Sequence, residues 1–202
     1  MSQIILDMGS GNTCKNSVDY AYKMIDAVAA IDSHKHEVIF KWQLFKDEPP
    51  NVPLDHLVFG RAYAHAKGLG YKTTSSVFDK ESLDFLLNFD IPFVKIACRP
   101  RLYWLIGEMP RKIPVYISWD GKQVAPMGSY TRMFCVPAYP ADLKDYRDGE
   151  LAYSDHVKGL KLWNKWHPDI WEKHFILEDD PNNPDCAGHA IKPDLLKEVI
   201  GA

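Results

Sequence analysis

The chain has 202 residues, 46% hydrophobic and 25% charged, with a net charge of −3. That composition fits a soluble globular protein with one sizeable core and offers no basic field for nucleic acid. No apolar run is long enough for a bilayer, and the start lacks a basic, signal-like segment, so a cytoplasmic location is expected. Four cysteines, Cys14, Cys98, Cys135 and Cys186, form no C-x-x-C pair, so they read as reduced thiols and not as a zinc ribbon or thioredoxin-type motif.

In chain order, Ile4 to Gly9 is a short apolar run ending in glycine, a buried strand. Asn16 or Ser17 caps a helix through Asp32, with Val18, Ala21, Met24, Ile25 and Val28 on one face. Glu37 to Gln43 is a second strand, followed by a proline-rich loop from Lys46 to Pro53 and a helix from Leu54 to Leu69. Tyr71 to Phe78 is a third strand, and Asp79 caps a helix over Lys80 to Phe89. Phe93 to Cys98 is a fourth strand, Arg101 to Met109 a helix and Val115 to Trp119 a fifth strand. The connection Asp120 to Tyr130 is too short and glycine-rich for a full helix. Arg132 to Val136, Leu151 to Asp155 and Ile170 to Leu177 complete the strands. Between and after them come helices over Ala141 to Arg147, Val157 to Lys165 and Pro193 to Ile200, with an acidic loop over Glu178 to Gly188.

Strands alternating with helices mean α/β with a parallel sheet, and eight strands is the count of a compact (β/α)8 TIM barrel spanning residues 1–202 as a single domain. An open doubly wound sheet is the alternative, although no G-x-G-x-x-G follows the first strand.

Two lysines stand inside apolar strands, in Phe40-Lys41-Trp42-Gln43 and Val94-Lys95-Ile96. Alternation puts Lys41 and Gln43 on one face and the aromatic residues on the other. A buried ammonium needs a partner. That partner is either an acidic neighbour such as Asp7 or Glu172, or an anionic substrate, and two such lysines favour the substrate. Thr74, Ser75, Ser76, Ser118 and Ser154 lie at or near strand tips, where small donors suit phosphate or carboxylate oxygens. His156 and His174 end adjacent strands, close enough for metal ligation, with Asp185 or Asp7 as a third partner. The alternative is that both histidines are hydrogen-bonded rim residues. His34, His36, His56, His65 and His167 read as solvent-exposed, and His189 has no assignment from pattern.

The blocks FKWQ (Phe40 to Gln43), SSVFD (Ser75 to Asp79), VKIA (Val94 to Ala97), YPA (Tyr139 to Ala141), YSDH (Tyr153 to His156), EKHF (Glu172 to Phe175) and PD (Pro184, Asp185) occur in the order found in the N-acetylneuraminate (sialic acid) synthase family, which the chain resembles from Ile4 onward. The resemblance implies a metal-assisted condensation of phosphoenolpyruvate with an N-acetylated aminosugar or other aldose. It implies a divalent metal on His156 and His174, manganese first, with magnesium or zinc as alternatives. Lys41, Ser76, Lys95, Ser118 and Ser154 match phosphoenolpyruvate-binding positions, and Gln43, Tyr139 and Asp185 match positions facing the sugar. Partners implied are small molecules only, neither nucleic acid nor membrane, with a homo-oligomer left open.

The chain departs from the family pattern at several points. The family's Ala-Ser-Gly-Glu is here Ala97-Cys98-Arg99-Pro100, which removes a phosphate-binding serine and an active-site glutamate; Arg99 is a replacement charge. The Ser-Thr-Gly-Met turn is Ser118-Trp119-Asp120-Gly121, the sixth-strand asparagine is Pro137, and the first-strand glutamate is Asp7. The histidine after the loop aspartate is Cys186, and the likeness covers the barrel without the family's C-terminal antifreeze-like domain. These departures leave two further readings: a degenerate barrel that binds an anion without turnover, and a lyase whose metal site recruits Cys14 or Cys186.

Overall fold

The structure, a computed structural model, describes residues 1–122 and 128–202. Part of the Asp120 to Tyr130 connection therefore lies outside the described residues. The strands are β1 (Gln3–Asp7), β2 (Glu37–Leu44), β3 (Lys72–Val77), β4 (Val94–Ile96), β5 (Val115–Trp119), β6 (Thr131–Cys135), β7 (Ala152–Asp155) and β8 (Ile170–His174). Each pairs in parallel with the next and β8 pairs with β1, so the sheet closes into a (β/α)8 barrel and the open-sheet alternative falls.

Alternation along the strands creates two cores. Phe40, Trp42, Leu6, Tyr153 and Trp171 face outward, into the shell beneath the helices. Ile5, Ile39, Phe93, Met133 and Ala152 fill the lower barrel, with Phe93 stacked on Tyr116 at 4.2 Å between ring centroids. This apolar plug floors the barrel, so the polar side chains above it are reached only from the C-terminal end of the strands.

The helices are α1 (Val18–Ala29), α2 (His56–Gly68), α3 (Lys80–Leu86), α4 (Lys161–Trp166) and α5 (Pro193–Ile200). Ser17, Asp55 and Asp79 cap the first three through their side chains. The first and third helices end three residues earlier than predicted, at Ala29 and Leu86, and three others depart further. Pro100–Glu108 is a 3-10 helix. The stretch from Ala141 keeps only a 3-10 turn, Leu143–Asp145, because Ala141 bridges to Val157 and the Tyr146 hydroxyl is used at the β7 tip. The helix expected from Val157 begins at Lys161, since Val157 is held in that bridge and Gly159 has φ +65°. Among the described residues no helix is long and apolar enough to cross a membrane.

Candidate active site

A cavity of about 450 Å³ opens at the C-terminal end of the barrel. Its floor is a buried charge cluster. Lys41 Nζ lies 2.5 Å from Asp7 Oδ2, donates to Ser76 Oγ at 2.9 Å and sits 3.8 Å from Glu172 Oε1. Lys95 Nζ donates to Ser118 Oγ at 2.5 Å and is 3.6 Å from the same Glu172 oxygen. Ser154 Oγ donates to Glu172 Oε1 at 2.9 Å, and Oε2 has no hydrogen-bond partner among the described residues. Asp7 also accepts from Gln43 Nε2 at 3.1 Å and from the Gly9 N–H at 3.0 Å. The pairing expected for a buried ammonium is thus supplied from within, and it lines the cavity.

Burial acts against every charge here, and the pairing decides the outcome. For Asp7 burial is outweighed by Lys41 and His174, which hold the carboxyl below its ordinary value. For Glu172 it is outweighed by Lys41 and Lys95. Lys41 is raised, since Asp7 and Glu172 overcome burial. Lys95 has weaker anionic company, so burial prevails and lowers it. Lys95 is therefore the cation most in need of an added anion.

Above the floor stand the histidines. His156 follows β7, whose tip is braced by Tyr146: its hydroxyl donates to Ser154 O at 2.8 Å and accepts the His156 N–H at 3.0 Å. His156 Nδ1 lies 2.7 Å from Val136 O, and a carbonyl only accepts, so Nδ1 carries the proton and Nε2 keeps its lone pair. His174 ends β8 with Nδ1 2.8 Å from Asp185 Oδ1 and Nε2 3.6 Å from Asp7 Oδ2. The His156 and His174 ring centroids are 5.7 Å apart, as the strand count requires. Asp185 belongs to a 3-10 turn, Pro184–Ala187, and its Oδ2 accepts from Thr13 Oγ1 at 2.6 Å. Gly9, at φ +74°, lets the β1 loop pass beneath: a Cβ there would lie 2.0 Å from Thr13 Oγ1 and 2.6 Å from Asp185 Oδ2.

His189, unassigned from sequence, is 2% exposed and joins this group. Its Nε2 lies 3.6 Å from Asp185 Oδ1, and its ring centroid 4.6 Å from that of His174. His174, Asp185 and His189 each offer a ligand atom within 4.8 Å of the others. No spacing rule could find His189, because Gly188 at φ +97° turns the chain back toward the barrel after the Asp185 turn. Burial lowers His156, with His174 adding to the effect, and burial also lowers His189. Asp7 and Asp185 overcome burial at His174 and raise it. Asp185 is held well below the carboxylate range despite burial, chiefly by His174. Tyr139 is half exposed at the mouth, with its ring centroid 4.2 Å from that of His156 and 4.9 Å from that of His189.

Other residues singled out by the sequence are engaged by the protein's own contacts. Ser75 shares the outward face with Trp42, donates to Trp42 O and Ser76 O, and does not reach the cavity. Arg99 lines the mouth, but its guanidinium pairs with Glu48, which also takes Arg101. Asp155 points into the shell, where it binds Trp171 Nε1 at 2.9 Å and lies 3.2 Å from Lys173, clamping β7 to β8. Cys14 donates to Ser10 O, and Cys186 lies against Glu178 O, so neither stands in the cavity to recruit a metal.

No family model matches the chain. It is 23% identical over 209 residues to an uncharacterised protein of Methanocaldococcus jannaschii, covering 87% of this chain and 60% of that protein. It is 26% identical over 175 residues to the N-acetylneuraminate-9-phosphate synthase of Drosophila melanogaster, covering 69% of this chain and 45% of that one. The chain thus spans between about half and three fifths of the length of these curated relatives. The N-acetylneuraminic acid synthetase of Leptospira borgpetersenii, solved in complex with citrate, superposes with a TM-score of 0.74 at 18% identity, covering 98% of this chain and 80% of that one. The resemblance carried by the sequence motifs is therefore met again in a curated relative, and the barrel fold is shared with the synthetase.

Proposed function

We propose that the barrel condenses phosphoenolpyruvate with an aminosugar or other aldose in a metal-assisted reaction of the sialic acid synthase type. The observation that carries this reading is the stack of groups in one cavity: Lys41 and Lys95, flanked by Ser76, Ser118 and Ser154, under His156, His174 and Asp185. The two lysines and their hydroxyls hold the phosphate and carboxylate of phosphoenolpyruvate, Lys95 by the stronger pull because its nearest carboxylate stands at 3.6 Å, against 2.5 Å for Lys41. Gln43 and Tyr139 face the sugar. The chemistry of the donors fits a divalent ion: His156 and His174 keep imidazole nitrogens on the cavity and Asp185 adds a carboxylate. Such an ion, when bound, supplies Lewis-acid polarisation of the aldehyde. The methylene of phosphoenolpyruvate then attacks the aldehyde carbon, water adds to the resulting oxocarbenium centre, and phosphate leaves. Glu172, ionised and with Oε2 unpartnered, takes the proton of that water.

The test is phosphate release from phosphoenolpyruvate with manganese and a panel of aldoses. Turnover above that of a His156→Ala, His174→Ala double variant is expected, and its absence would remove the synthase reading. One observation favours a second reading, a barrel that binds its anion without turnover: the family's glutamate is missing at Pro100, and Arg99 beside it is engaged by Glu48. Calorimetric binding of phosphoenolpyruvate without phosphate release would select it.

A further inference from the structure

We propose that His189 is a metal ligand, and that the ion rests on His174, Asp185 and His189, with His156 facing its open side. The inference deepens the metal-assisted reading and rests on it for the presence of an ion.

His189 is buried, and both its ring nitrogens lack hydrogen-bond partners among the described residues. A neutral imidazole always carries one N–H and one lone pair, and leaving both unmet in a protein interior is costly. Its nearest acceptor, Asp185 Oδ1, is 3.6 Å from Nε2, beyond hydrogen-bond reach. His174 Nδ1 is in the same position: it stands 2.8 Å from the same Asp185 oxygen but makes no aligned hydrogen bond. The two imidazoles thus converge on one carboxylate, His174 as an ion pair at 2.8 Å and His189 at 3.6 Å. Ligands held at about 2.1 Å around a tetrahedral ion lie about 3.4 Å apart; here the two imidazoles stand 2.8 and 3.6 Å from Asp185 Oδ1, and all three ligand atoms lie within 4.8 Å of one another. His156 differs in having Nδ1 committed to Val136 O, and it is not among the three that cluster.

Two imidazoles, one carboxylate and an open position form the pattern of a catalytic zinc-type centre. A nitrogen-rich set favours zinc or cobalt over magnesium, which prefers oxygen. Asp185, spent on the ion, is then unavailable as a free base.

The experiment titrates the intact chain with cobalt(II), following visible ligand-field absorption, and with zinc by competition against a chromophoric chelator. Wild type, His189→Ala, His189→Cys, His156→Ala and His174→Ala are compared, each checked by circular dichroism. The expected result is one ion per chain, undisplaced by excess magnesium. His189→Ala should weaken binding by at least about 10- to 100-fold, the loss that removal of even an outer-shell partner causes, and His156→Ala less. Cobalt-loaded His189→Cys should gain a thiolate-to-cobalt charge-transfer band, which a purely structural role for His189 would not produce. Unchanged affinity in folded His189→Ala, or a folded His189→Cys without that band, would overturn the proposal while leaving a metal on His156 and His174 intact. Absence of cobalt binding in wild type would overturn both.

Discussion

Lys41 and Lys95 are one residue type on one floor, yet their removal is expected to have different consequences. Lys41→Met strips Asp7 of a cation at 2.5 Å and leaves it, 2% exposed, with two neutral donors and His174 at 3.6 Å. Breaking a buried pair in this way costs about 3–5 kcal/mol, a fall in Tm of roughly 6–20 °C for a chain of this size. Lys95→Met removes an ammonium that burial already disfavours, and Glu172 keeps Lys41 at 3.8 Å and the Ser154 hydroxyl. That cost is smaller, about 0.5–1.5 kcal/mol, the net scale of an ordinary hydrogen bond. For the ligand the order reverses. A charge-assisted bond to an incoming anion contributes about 1.5–3 kcal/mol, so Lys95→Met should weaken phosphoenolpyruvate binding about 10- to 150-fold. Urea denaturation gives the stabilities and calorimetry the affinities. If Lys41→Met proves no more destabilising than Lys95→Met, or if folded Lys95→Met binds phosphoenolpyruvate like wild type, the charge assignment at the floor is wrong.

Gly9→Ala should destabilise by about 1–3 kcal/mol, since the added methyl takes a positive φ and meets Thr13 and Asp185. The same variant should lose cobalt affinity if Asp185 is displaced, read by the same titration. Glu172 is held below its ordinary value, so its contribution to stability is complete above about pH 4.5 and disappears as the pH falls through the depressed folded-state value. The stability difference between wild type and Glu172→Gln, from urea titrations at several pH values, should therefore shrink on acidification, and a difference that grows toward low pH would contradict the pairing.

The barrel was legible because its strands announce themselves. Runs such as Glu37 to Gln43 and Val115 to Trp119 are apolar enough to be buried on both faces, and turn residues separate them. The inward lysines followed from alternation alone, with Phe40 and Trp42 claiming the shell. Helix ends after the fifth strand were less readable. Those segments are governed by distant partners, such as the bridge from Ala141 to Val157 and the use of Tyr146 at the β7 tip, which local periodicity does not encode. Ser75, expected in the site together with Ser76, faces the shell, because a one-residue step exchanges cavity for shell. His189 lay hidden in a loop whose path depends on Gly188 and on contacts with the first β-to-α loop, through Thr13.

A crystal structure of the chain soaked with manganese and phosphoenolpyruvate bears most directly on the whole account. It should place the anion between Lys41 and Lys95, against Ser76 and Ser118, and the ion beside His174 and Asp185. Anion density away from both lysines, or manganese bound only at surface carboxylates, would contradict a cavity built to bring an acidic substrate and a metal together.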